Sequence, residues 1–304
     1  MSENRLQIPM PTTGKPQAAG RVRVMKTYKL YVDGKFPRTE SGRYSVFKDA
    51  DGEPLANICV ASRKDFREAV VAARKAQPGW AARSAYNKGQ ILYRIAEMLE
   101  GRRSQFTDEF VQQGLSSAAA SRELDVAIDR LVYYAGWSDK YQQVFSSVNP
   151  VESSHFNFSM QEPTGVVAAI APEESGLAGL VAVIAPAIVG GNTVIVLSSE
   201  RFPLTAVTFA EVLHTSDLPA GVVNILTGTR KELVSHFSSH MDVNACVYCG
   251  DDLEHRKTVD ENAALNVKRP FFFPVADWSD EKFDSPYRIL DLQETKTTWH
   301  PIGQ

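Results

Sequence analysis

Gly165-Val-Val-Ala-Ala-Ile170, Thr193-Val-Ile-Val-Leu197, Val222-Val-Asn-Ile-Leu226 and Val243-Asn-Ala-Cys-Val-Tyr248 are four short, nearly all-apolar runs within one stretch of the chain. Each is too short for a helix and too continuous for a strand with one wet face, so each reads as a strand covered on both sides. Helical patterns near 177–189, 203–214, 230–240 and 251–264 separate them. This alternation specifies βαβ units and hence an α/β fold, a doubly wound and mostly parallel sheet of the Rossmann type. Ligands of such sheets lie beyond the carboxyl ends of the strands, so the loops after Ile170, Leu197, Leu226 and Tyr248 form the candidate site.

Upstream, short alternating segments from Tyr28 to Val60 flank the turn dipeptides Asp33-Gly34 and Asp51-Gly52 and read as a strand region. Ser62 and Asp65 have capping-box spacing, which predicts a helix over 63–77 that Pro78-Gly79 stops. Two or three further helices are expected from Ala85 to about Gln143. Their stripes, Ile91, Leu92, Ile95 and Leu99 in one and Leu131, Tyr134 and Trp137 in another, read as core. His155-Phe-Asn-Phe-Ser-Met160 alternates as a half-buried strand does and forms a hairpin with Val144 to Val148. Tyr287 to Trp299, rich in β-branched and aromatic residues, reads as a terminal strand. Residues 1–27, with Arg5, Lys15, Arg21, Arg23 and Lys26 against Glu3, read as a flexible basic tail.

The composition is that of a soluble globular protein: 304 residues, 43% hydrophobic and 23% charged. A net charge of −3 argues against nucleic acid or an anionic membrane as partner. Ser175 to Ser199 carries no formal charge over 25 residues, but Pro186 and Gly190-Gly191-Asn192 divide it into a helix and a strand rather than a membrane span. Cys59, Cys246 and Cys249 are too few for a disulfide framework and point to a reducing, cytoplasmic setting. Cys246 and Cys249 lie three apart on or just past a strand, so their side chains face opposite ways and share no metal. His236 and His240 have helical i, i+4 spacing and His255 is nearby, a pattern common by chance, and no metal site is expected. The phosphate-loop and nucleophile-elbow motifs are absent.

Leu30-Tyr-Val-Asp-Gly-Lys35, Tyr134-Ala-Gly-Trp137, Glu162-Pro-Thr-Gly-Val-Val-Ala-Ala-Ile-Ala-Pro172, Ile184-Ala-Pro-Ala-Ile-Val-Gly-Gly-Asn-Thr-Val194 and Asp217-Leu-Pro-Ala-Gly-Val-Val-Asn-Ile-Leu-Thr-Gly228 together resemble the aldehyde dehydrogenase superfamily. The resemblance runs from about Lys29 to Arg269 and returns at Leu290 to His300. It implies a coenzyme domain over 28–143 and 163–275, and a small β oligomerisation arm over 144–162 and 287–304. The family's catalytic domain has no room between Phe273 and Leu290, so it is expected to be absent.

The family's chemistry needs a Cys thiolate, a general-base Glu and an oxyanion-binding amide. The resemblance places the oxyanion loop at Pro172-Glu-Glu-Ser-Gly176, where Glu174 stands in place of the amide. It places the general base just after Lys268-Arg269, where Pro270-Phe-Phe-Phe-Pro274 stands, and no cysteine follows Cys249. No catalytic residue is therefore expected. The remnant of a cofactor site would comprise Ile170, Pro172, Ser199, Glu200, Gly228, Gly250 and Asp251. Leu197 replaces a Lys of the family's ribose-contacting motif, and Gly250-Asp-Asp-Leu-Glu-His255 replaces its diphosphate-facing glycine motif. Asp251 and Asp252 are expected to satisfy the helix N-terminus themselves and repel a diphosphate, with Arg230 offsetting part of their charge. No cofactor is required on this reading, and NAD would bind weakly. The resemblance implies a non-catalytic, structural or regulatory subunit that assembles with a full-length aldehyde dehydrogenase, or a homodimer, through the arm. The alternative is an NAD(P)-dependent oxidoreductase or a nucleotide-sensing module built on the coenzyme domain.

Overall fold

The computed structural model of the protein describes residues 24–49 and 51–303. The tail expected over 1–27 lies outside them except for its last four residues, and of these Thr27 already belongs to a strand. β1 (Thr27–Tyr28), β2 (Tyr44–Lys48) and β3 (Pro54–Cys59) form a small sheet of order β1-β3-β2, with Gly52 supplying the positive φ of the β2–β3 turn. The helices α1 (Arg63–Ala81), α2 (Ala85–Glu100), α3 (Arg103–Gln112), α4 (Ser117–Trp137) and α5 (Tyr141–Phe145) follow. The Ser62–Asp65 capping box is formed. The expected stop at Pro78 is not: α1 carries Pro78 inside it, because Trp80 is buried and its Nε1 donates to the Ile188 carbonyl at 2.8 Å, which holds the last turn in place. Val144 belongs to α5, so the hairpin that the alternation predicts starts later, with β4 (Ser147–Asn149) against β5 (His155–Pro163).

The central sheet contains β6 (Val166–Ile170), β7 (Thr193–Leu197), β8 (Val223–Leu226), β9 (Ala245–Cys249) and β10 (Arg269–Phe273), all parallel, in the order β10-β9-β6-β7-β8. Helices α6 (Ala178–Val189), α7 (Pro203–His214), α8 (Arg230–Ser239) and α9 (Leu253–Ala264) connect β6 to β10. Alternate strand residues serve two cores. Val167, Val194 and Val247 pack with α2, α3, α4 and α6 on one side, while Val166, Ile195 and Cys246 pack with α1, α8 and α9 on the other. β10 is a fifth strand beyond the four that the apolar runs predict. Pro270 has no N–H to give a ladder, but an edge strand tolerates that.

After β10 the chain turns through a 3-10 turn at Glu281–Phe283 and a short helix, α10 (Tyr287–Asp291), into β11 (Gln293–Pro301). The terminal strand therefore starts six residues later than its composition suggests. β11 pairs antiparallel with β5 from Gln293–Pro163 to Pro301–His155, so the arm is a three-stranded sheet of order β11-β5-β4. The segment between β10 and β11 acts as a cap. Trp278 and Phe283 stack at 4.2 Å, and the Arg288 guanidinium lies 3.9 Å over Phe273. About 10 Å³ of space remains between Arg288, Phe273 and α6, at the lower limit for one water. Arg130 of α4, with no exposed surface, pairs with Asp284 and donates Nη1 to the carbonyls of Ala178 (2.8 Å) and Trp278 (3.2 Å).

Removing one partner of a buried pair strands the other charge. Asp284→Ala should therefore cost about 3 kcal/mol or more, and Trp278→Ala about 3–5 kcal/mol, both measured as the loss of urea-unfolding free energy. A change within about 0.5 kcal/mol for either, the size of an ordinary surface substitution, would mean that the cap is not part of the cooperative fold.

Candidate functional site

Winding runs from β6 through β7 to β8 in one direction and from β9 to β10 in the other, so the chain reverses between the adjacent strands β6 and β9. The crevice outside their carboxyl ends is where such sheets take ligands. Arg230, the first residue of α8, lies across it. Its Nη1 donates to the Cys249 carbonyl at the end of β9 (3.0 Å), its Nη2 to the Ala171 carbonyl just beyond β6, and its Nε meets Glu173 Oε1 at 2.7 Å as an ion pair. Glu173 Oε2 in turn accepts from Ser199 Oγ (2.9 Å), the Glu200 amide (2.9 Å) and the Arg201 amide (3.2 Å). Glu200 Oε1 completes the circuit by accepting from the Arg230 amide at 2.7 Å.

The seven residues of the expected cofactor remnant divide accordingly. Ile170 is buried in β6 and Pro172 packs on Gly179 at the start of α6. Ser199, Glu200 and Gly250 surround the Arg230 circuit. Gly250, at φ +152°, has Arg230 Nη1 2.9 Å from where a Cβ would stand, so the guanidinium fills the space above it. Gly228 lies to one side in a cleft of about 120 Å³ shared with Phe47, Ile58, Ser199 and Glu200, well below the 300 Å³ or more of a typical small-molecule pocket. Asp251 corrects its reading: its carboxylate accepts from the Val275 amide at 3.2 Å and belongs to the cap. Asp252 alone caps α9, through the His255 amide at 2.9 Å. Arg230 makes its ion pair with Glu173, and its charge also helps, after the His255 amide, to hold the Asp252 carboxyl below its usual range, as a partial offset requires. As folded, these residues do not fit a dinucleotide's diphosphate. The N-terminus of α9 has a carboxylate on it and the crevice beside Gly250 holds a side chain.

The loop 172–176 is fully committed as well. Glu174 Oε1 accepts from Trp278 Nε1 at 2.7 Å and the Ala276 amide at 3.2 Å, which turns it toward the cap. Ser175 Oγ donates to Glu123 of α4 and accepts from the Gly179 amide. Glu123 Oε2 also accepts from the amides of Leu177 (3.0 Å) and Ala178 (2.9 Å), supplying the cap that α6 lacks locally. Glu173 of the loop and Glu123 of α4 are the residues that sequence reasoning missed. The only signal was two adjacent carboxylates, Glu173 and Glu174, in an otherwise apolar stretch.

The three cysteines are buried and unpaired, Cys246 and Cys249 in the two opposite cores. Burial pushes both of those thiols up to about 12, so neither presents a thiolate near neutral pH. His255 Nδ1 lies 3.3 Å from the Tyr248 hydroxyl. Among the described residues no group of three His, Cys, Asp or Glu side chains is placed to hold a metal, and no helix is long and apolar enough to cross a membrane.

A family model described as aldehyde dehydrogenase family matches residues 36–272. The chain belongs to the aldehyde dehydrogenase family. It is 34% identical over 270 residues to the protein named aldehyde dehydrogenase, cytosolic 1, of Elephantulus edwardii, covering 86% of this chain and 53% of that one. To human aldehyde dehydrogenase 1A1 it is 34% identical over 248 residues, covering 79% and 49%. PnpE from Pseudomonas sp. WBC-3, a solved structure, superposes with a TM-score of 0.77 at 26% identity over 82% of this chain and 50% of that one, and PnpE is also known in complex with nicotinamide adenine dinucleotide. This aldehyde dehydrogenase-family chain spans about half the length of the curated relatives it matches. The match ends inside β10, so the cap and β11 lie beyond it.

With every cysteine buried, the native chain should release no colour with a thiol-exchange reagent over minutes. Denaturant should then release three equivalents per chain. A fast-reacting thiol in the native protein would refute the buried placement and reopen a nucleophilic role for cysteine.

Proposed function

We propose that this chain is a non-catalytic aldehyde dehydrogenase-family subunit that assembles, through its β arm, with a full-length aldehyde dehydrogenase, and that it requires no cofactor. The observation that carries the reading is the Arg230–Glu173–Glu200 circuit, which occupies the ligand crevice with the chain's own charges. The buried thiols, the commitment of Glu174 to Trp278 and the phenylalanines of β10 support it further, because none of these supplies a nucleophile, an oxyanion donor or a general base.

The arm supports the partner. Residues directly opposite in a ladder share a face, and the face of Asn157, Ser159 and Gln161 is buried and polar, bonded to Asn149 and to the Phe145 carbonyl. The other face is exposed and mixed: Val148 at 68%, Phe156 at 45% and Met160 at 38% form an apolar patch beside the Lys296–Glu162 ion pair. An exposed apolar patch rimmed by polar and charged residues supports an interaction site here. The occupant proposed is the catalytic domain of the full-length subunit, the surface that the family arm meets. A cytoplasmic setting accords with three unpaired cysteines.

Purified chain is expected to oxidise no aldehyde with NAD or NADP, and to give no calorimetric heat with either nucleotide through the micromolar range. Arg230→Ser combined with Glu173→Gln, which empties the space above Gly250 without leaving a carboxylate unpaired in the crevice, should raise NAD affinity at least about tenfold, the value of one charge-assisted contact. Micromolar binding by the unmodified chain would favour the nucleotide-sensing alternative, and turnover would favour the oxidoreductase.

Coexpressed with a full-length aldehyde dehydrogenase of the same organism, the chain should co-elute with it in size-exclusion chromatography. Phe156→Asp with Met160→Asp should release it while leaving its melting temperature close to native, since both side chains face outward. Elution alone, as a homodimer, or co-elution unaffected by the two substitutions would defeat the arm-mediated model.

A further inference from the structure

α1 and α8 lie side by side on one face of the sheet, joined by the Phe66–Phe237 stack at 4.2 Å. Between their exposed edges runs a groove of about 540 Å³, lined by Arg63, Arg67, Ser235, His236, Ser239 and His240, with buried Phe66 beneath it and exposed Met241 at its rim. Its chemistry is one-sided: two guanidiniums, two imidazoles, two hydroxyls and no carboxylate, on a chain whose net charge is −3. Of the acids near the groove, Glu232 pairs with Arg43 at 2.7 Å and Glu40 with Lys64 at 2.6 Å, which leaves Asp242, beside His240, as the carboxylate facing it. Among the described residues Arg63 and Arg67 have no carboxylate within 4.0 Å.

That placement opposes the local electrostatics. Arg63 and Arg67 are the first and fifth residues of α1, so they stand at the positive end of the helix dipole and repel each other at i, i+4 spacing. The histidines register the same field. Burial, and then Arg63, holds His236 below the ordinary imidazole range against an opposing Glu232. Burial also lowers His240, where Asp242 opposes it and Lys268, Arg67 and Arg63 reinforce it. A helix stabilised by its own cap gains nothing from these two arginines, whereas a bound anion would offset both costs together.

We propose that the α1–α8 groove is a binding site for a small organic phosphate monoester. Two guanidinium forks one helical turn apart match the oxygens of a phosphate dianion, and Ser235 and Ser239 add hydroxyl donors. Met241, 67% exposed, offers the organic part an apolar contact that free phosphate cannot use.

The test uses the full chain and two probes, phenyl phosphate and inorganic phosphate, by calorimetry at about pH 7.5, where a phosphate monoester is mainly dianionic. One phenyl phosphate should bind per chain, more tightly than inorganic phosphate. Arg63→Gln with Arg67→Gln should weaken it at least about tenfold, by loss of charge-assisted bonds, without lowering the melting temperature. Imidazole proton NMR adds a second readout: a bound dianion favours imidazolium, so the pKa values of His236 and His240 should rise in the complex. No saturable phenyl phosphate binding, equal binding by the double variant, or histidines whose titration does not move would each overturn the proposal.

Discussion

Arg130 has no exposed surface, and its guanidinium meets the N-terminal carbonyl of α6, the Trp278 carbonyl and the Asp284 carboxylate at one point. Three pieces of chain distant in sequence are thereby fixed together: α4, the start of α6, and the short segment between β10 and β11. A buried charge is costly unless it is paired, so the segment is constrained to return to this point each time the chain folds. The rest follows from that return. Asn192 Nδ2 donates to the Leu292 carbonyl and Gln293 Nε2 to the Gly190 carbonyl, which brings β11 to the turn before β7 and sets its register on β5.

The crevice uses the same economy. Five consecutive residues, Pro172 to Gly176, follow β6 at the point where the sheet changes direction, and their side chains reach three different places. Glu173 goes to Arg230, Glu174 to the cap and Ser175 to Glu123. Gly176 has no side chain because Phe110 and Phe202 close on it. A loop whose carboxylates and hydroxyl are each engaged by the chain's own groups offers an incoming molecule few free contacts.

The sequence was legible where structure is local or repetitive. The four apolar runs became β6 to β9, and Ser62 with Asp65 became a cap, because strand burial and capping depend on neighbours within a few residues. β10 was not legible, since Arg269-Pro-Phe-Phe-Phe273 has turn chemistry at one end and gains strand character only from pairing with β9. Pro78 misled for the converse reason, its helix-breaking effect being overridden by the burial of Trp80. At the candidate site, Ser199, Glu200 and Gly250 could be assembled from motifs alone. The position of Arg230 could not, because its partners Ala171 and Glu173 lie nearly sixty residues away and no local pattern aims a guanidinium that far.

Because Arg230 and Glu173 bond each other across the crevice, the contact energy that a ligand would bring from solution is here intramolecular. A protein stabilised by a bound ligand melts at a temperature that follows the ligand's concentration. Contacts carried on the chain itself have no such dependence, so the stability they confer on the ends of β6 and β9 is the same whatever the metabolic state around the molecule.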